Sequence, residues 1–177
     1  PVADDVVVQA ADPRVKRELP ASQVELITQP HPDVAGAIGE LAEARALLRR
    51  VCGSSLAPAA AAVHPTCASS TATSDADRHQ RISDAYGQVA RQQLVGALQV
   101  HVALGRADRT LAVYNALRGH LPEIAALAAA APFHEGRDTG LASIRPVIAG
   151  QLPRQGVPPA YASWADFAAD LRWGSTS

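Results

Sequence analysis

Polar and apolar side chains change period several times along this chain, and each change marks an element. A β-branched run from Val6 to Val8 predicts a short strand near the N-terminus. From Gln23 to Thr28 (QVELIT) the two classes alternate, putting Val24 and Leu26 on one face of a strand and Glu25 and Ile27 on the other. Pro30 and Pro32 stop that strand, because proline has no N–H to give a ladder. Val34, Ile38, Leu41, Leu48 and Val51 then recur at helical spacing, with Asp33 placed as an N-cap. The segment from Gly53 to Ala76 is rich in Ala, Ser, Thr and Pro, with a strand-like approach to Val63 and a loop at His64-Pro65.

Farther on, Ile82, Tyr86 and Val89 share one side of an amphipathic helix predicted over Asp77 to Arg91. The clearest strand pattern is Leu98 to Leu104 (LQVHVAL), with Leu98, Val100, Val102 and Leu104 on one face and Gln99, His101 and Ala103 on the other. Asp108 is placed to cap a helix running through Leu117, and Pro122 to open another through Ala131. Gly136 to Arg145 reads as a polar loop, Ile144 to Leu152 as a further helix, and Pro153 to Pro159 as a linker before a last helix from Trp164. Strands separated by helix pairs predict an α+β fold, since no glycine-rich phosphate loop follows any strand.

Composition narrows the picture. The 177 residues suit a single domain spanning residues 1–177. Sixteen basic and seventeen acidic residues leave a formal net charge of -1, so no bulk field draws nucleic acid or an anionic membrane, and anion binding has to be local. No stretch approaches the eighteen or so apolar residues of a membrane span. The N-terminus lacks a signal-peptide pattern, and the expected compartment is the cytoplasm. Cys52 and Cys67 are too few for a disulfide framework.

Few residues suggest chemistry. A glutamate on a strand face, such as Glu25, is ordinary by itself, and so is His101; a carboxylate and an imidazole on one sheet face could together hold a divalent cation. His64, Cys67, Cys52 and His79 raise zinc, but no paired clamp such as C-x-x-C supports it. Arg137, Asp138, Ser143 and Arg145 concentrate charge and hydroxyl in one loop, where two arginines could clamp an anion in forked geometry.

Six blocks then carry a resemblance: SQVELITQP, VHPT, RQQLVGALQVHVAL, LAVYNALRGHLPEIAALAAAAPF, EGRDTGLASIR and PPAYASWADF. In this order they resemble bacterial glutamate-cysteine ligase type 2 enzymes, the carboxylate-amine ligases. The family's glutamate-rich opening strand and its late acidic and arginine-bearing strands have no counterpart here, so the chain is expected to be the central part of a larger catalytic domain. Ala103 stands where the family often has Gly, and His134 where an aromatic residue is common. The resemblance implies an antiparallel sheet with helices packed on one side, similar to glutamine synthetase. It also implies ATP and Mg2+ as cofactors, with the γ-carboxylate of glutamate joined through an acyl phosphate to an amine such as that of cysteine. By the same resemblance Glu25 and His101 would ligate the metal, Gln99 and Ser143 would line the cofactor site, and Arg137 and Arg145 would be catalytic. Small-molecule substrates, a homo-oligomer, and no nucleic acid or membrane partner are expected. A truncated or degenerate member acting as a non-catalytic binding module is the alternative.

Overall fold

The computed structural model describes residues 2–68, 70–153 and 155–176. The chain divides into two compact units, Pro1–Gly96 with Ala131–Leu152 and Ala97–Ala130 with Pro153–Ser177. Its class is α+β, with small antiparallel ladders among helices.

The first unit opens with helix α1 (Val2–Ala10), where the strand pattern at Val6 to Val8 had predicted extended chain. Two effects outweigh the β-propensity of the valines. Asp4 and Asp5 lie in the first turn, where carboxylates suit the positive end of the helix dipole. Helical phasing also buries Val6 against Leu48 and Cys52 while leaving Val8 exposed. Strands β1 (Val15–Arg17) and β2 (Val24–Leu26) pair antiparallel, with Val15 opposite Leu26, Lys16 opposite Glu25 and Arg17 opposite Val24. The QVELIT segment is therefore a strand, and Val24 and Leu26 pack on the same core as Val6.

Helix α2 (Val34–Cys52) starts as its sequence dictates: the Asp33 carboxylate accepts from Gly36 N at 2.8 Å. The expected helix over Asp77 to Arg91 is two, α3 (Asp77–Tyr86) and α4 (Gln88–Arg91), because Gly87 takes a φ of 50° between them. A second core gathers Val63, Ala131 and Ile148, with Ala62, Val95 and Ile144 against it. Val63 bridges antiparallel to Val95, joining the segment before the His64 loop to the one before Gly96. The loop from Gly136 is partly a hairpin, β3 (Phe133–His134) with β4 (Arg137–Asp138), and helix α7 (Arg145–Ala149) follows it.

In the second unit, α5 (Ala107–Leu117) runs through a 3₁₀ turn, Arg118–His120, into α6 (Leu121–Leu127). Asp108 sits inside the first turn of α5 rather than at its cap, which is Arg106. Helix α8 (Trp164–Thr176) packs on α5 through an aromatic group of Tyr114, Tyr161, Trp164 and Phe167, with ring centroids 5.1–5.7 Å apart. The stretch read as a linker is tied to α5: Tyr114 Oη donates to Pro159 O (3.1 Å), Arg118 Nε to Pro158 O (2.6 Å), and Asn115 exchanges two hydrogen bonds with the Tyr161 backbone.

Leu98 to Leu104 departs most from expectation. The segment pairs in no ladder among the described residues, and Leu98, Val100 and Val102 are 81%, 78% and 70% exposed. Alternation favours extended backbone, but a strand also needs a neighbour to accept its N–H and C=O groups. Among the described residues the sheet component is accordingly two two-stranded ladders rather than one sheet covered on one side by helices. No helix among the described residues is long and apolar enough to cross a membrane.

Candidate functional site

The expected residues fall into both units, and each unit is described by itself. In the first, Arg137, Ser143 and Arg145 belong to one closely bonded piece of chain. The β3–β4 hairpin turns on Glu135 (φ 50°) and Gly136 (φ 75°); glycine takes that conformation freely, whereas glutamate does so at some cost. Arg137 leaves the turn exposed and opposite His134 in the ladder. Thr139 folds the chain back, its N–H and its hydroxyl both donating to Pro132 O at 2.9 and 2.7 Å. Ser143, half-buried, then bridges to Ala131, and Ile144 N donates to Ala131 O at 2.9 Å.

Arg145 is half-buried at the start of α7, and its Nε donates to Gly96 O at 2.7 Å. Gly96 N in turn donates to Ala62 O at 2.9 Å. The guanidinium thus anchors the end of this unit's 95–96 segment, and its two Nη groups are what remain for any anion.

The loop at His64-Pro65 lies against the hairpin: Gly136 N donates to Pro65 O at 2.8 Å. Within the loop, His64 Nδ1 accepts from the backbone N–H groups of Thr66 (3.3 Å) and Cys67 (3.0 Å). The sequence pattern places His64 in a loop and offers no support for zinc there, but it does not show this backbone-capping role. The available signal was the His-Pro-Thr run, where a short polar ring precedes a turn. Cys52 lies in the α1–α2 core, and no group of three or more His, Cys, Asp or Glu residues suited to a metal occurs among the described residues.

Glu25 is half-buried on β2, its ladder partner Lys16 on the neighbouring strand. Gln99 and His101 belong to the second unit, on an exposed segment outside any ladder among the described residues.

A family profile described as glutamate-cysteine ligase family 2 (GCS2) matches residues 3–173. The chain belongs to this family. Relatives of glutamate-cysteine ligase family 2 with curated descriptions agree. A Rubrobacter xylanophilus protein provisionally named glutamate-cysteine ligase 2-3 is 38% identical over 152 residues, covering 85% of this chain and 42% of that protein. A Paracoccus denitrificans protein provisionally named glutamate-cysteine ligase 2 is 37% identical over 147 residues, covering 82% of this chain and 39% of its own length. One from Clavibacter michiganensis, with the same provisional name, is 34% identical over 163 residues, covering 89% and 42%. The chain therefore spans about two fifths of the length of the curated relatives it matches.

Proposed function

We propose that this chain contributes to the site of an ATP-dependent carboxylate-amine ligase, one that joins the γ-carboxylate of glutamate to an amine such as that of cysteine. The observation that carries the reading is the family match over residues 3–173. A carboxylate is a poor acyl donor, because its charge repels an amine and oxide does not leave; phosphorylation by ATP supplies a leaving group. Catalysis of such a transfer consists mainly of alignment and charge neutralisation.

The residues suit those tasks unequally. Magnesium is commonly held by one or two carboxylates together with substrate phosphates, so Glu25 fits it by donor type. His101 offers an imidazole, a minority ligand for a hard cation, and its assignment rests on the resemblance. Arg137, exposed beside a rigid turn, would neutralise an anionic oxygen. Arg145 would do so with its Nη groups while its Nε stays on Gly96 O. Ser143 and Gln99 would add neutral hydrogen bonds to the nucleotide.

The test is nucleotide binding and turnover by the 177-residue chain. Phosphate release should be slow and require ATP, magnesium, glutamate and the amine together. Glu25→Gln should weaken magnesium-dependent nucleotide binding about tenfold, the loss of one charge-assisted contact. Nucleotide binding indifferent to both magnesium and that substitution would overturn the assignment.

A further inference from the structure

The His64 loop contains a feature that the family reading leaves unused. A ring nitrogen that accepts hydrogen bonds cannot itself carry a proton. Nδ1 of His64 accepts from two backbone N–H groups, those of Thr66 and Cys67, so the neutral ring has its proton on Nε2. The loop thereby holds an exposed imidazole as an N–H donor.

The loop that carries that donor is tied through its backbone to the hairpin that carries Arg137. Gly136 N on Pro65 O places the residue after His64 against the residue before Arg137, and both flanking side chains are exposed. Neither end of this tie is loose. Gly136 belongs to a two-residue turn closed by the β3–β4 ladder, and Val63, just before His64, is buried in the second core. Of the neighbouring carboxylates, Asp138 Oδ1 accepts from Gly140 N at 2.9 Å, and Glu135 has a partner of its own. His134, the ladder partner of Arg137, keeps a buried Nδ1 with no hydrogen-bond partner among the described residues.

The geometry points to a two-armed anion site in which His64 Nε2–H and the Arg137 guanidinium take oxygens of one carboxylate or phosphoryl group. It rests on the reading of Arg137 as an anion clamp and adds to it a second, neutral arm. A neutral donor next to a cation suits a group of low charge, since it adds a directed hydrogen bond without a second positive charge to desolvate.

Substitutions separate this from a purely structural role. In His64→Asn the amide oxygen can replace Nδ1 as acceptor for Thr66 and Cys67, keeping the loop while removing the Nε2–H. His64→Ala removes both. With 15N-labelled histidine and arginine, the full chain is titrated separately with L-glutamate and with inorganic phosphate, which distinguishes a carboxylate site from a phosphoryl site. One of the two anions should shift both His64 Nε2 and Arg137 Nε. His64→Asn should weaken that anion about tenfold or more with its melting temperature near that of the parent, whereas His64→Ala should also melt lower. Unchanged anion affinity in His64→Asn, shifts at neither residue, or a neutral ring with its proton on Nδ1 would each overturn the proposal. Nucleotide binding indifferent to magnesium and to Glu25→Gln, with the anion still bound, would defeat the ligase reading and leave this site standing; magnesium-dependent nucleotide binding with anion affinity unchanged in His64→Asn would do the reverse.

Discussion

Gly96 shows what a single residue controls here. A Cβ built on it would lie 2.2 Å from the carbonyl oxygen of Ala61, a backbone atom with no side chain to swing away. The close approach exists because Gly96 N donates to Ala62 O while Gly96 O accepts from Arg145. Gly96→Ala should therefore force the 61–63 and 95–96 segments apart and destabilise the chain by about 1–3 kcal/mol, read as a lower urea midpoint. A midpoint within error of the parent would mean the two segments can separate freely. Glycine at this place is visible in the sequence, but its reason is not, because the atom it avoids comes from a segment far along the chain.

Among elements, the junction of β2 with α2 is held by charge. Glu40 Oε2 accepts from His31 Nε2 at 2.6 Å and from Gln29 N at 2.8 Å, tying the chain leaving the strand to the first turns of the helix. The His31 hydrogen bond, with that of Gln29, holds the Glu40 carboxyl below its ordinary value of 4.5. Nearby, hydrogen bonds from the Arg14 side chain and backbone hold Asp12 at about 2, against an ordinary 3.8. Both carboxyls bind a proton less readily folded than unfolded. Their stabilisation is present above the ordinary values and is lost as pH falls through the lowered ones. The melting temperature should thus drop between about pH 5 and pH 2. The gap between the parent and Glu40→Gln should be present at neutral pH and close toward acid, since a protonated Glu40 resembles the amide. A gap independent of pH would show that the carboxylate charge is not what ties the junction.

For the whole molecule, the exposed apolar face of Leu98, Val100 and Val102 decides behaviour in solution. A segment that pairs in no ladder among the described residues and carries three exposed aliphatic side chains recruits another strand or another surface. At micromolar concentration the chain should sediment as a dimer or larger species, and Val100→Lys should shift it toward monomer. A monomer that Val100→Lys does not alter would show that this face needs no cover.

Features that depend on near neighbours in the chain were legible from the residues alone. Asp33 caps α2 because its carboxylate reaches an N–H three residues on, and the alternation of QVELIT is enough to put Val24 and Leu26 together in the core. Arg137, Ser143 and Arg145 were legible as one region because a short loop cannot carry them far apart. Tertiary structure decided the rest. Val6 to Val8 became helix because helical phasing buries Val6 against Leu48, and LQVHVAL pairs in no ladder among the described residues because a strand is completed only by a partner's hydrogen bonds. The tie between Pro65 and Gly136, which joins the His64 loop to the hairpin, is a backbone contact between distant segments that no local pattern encodes.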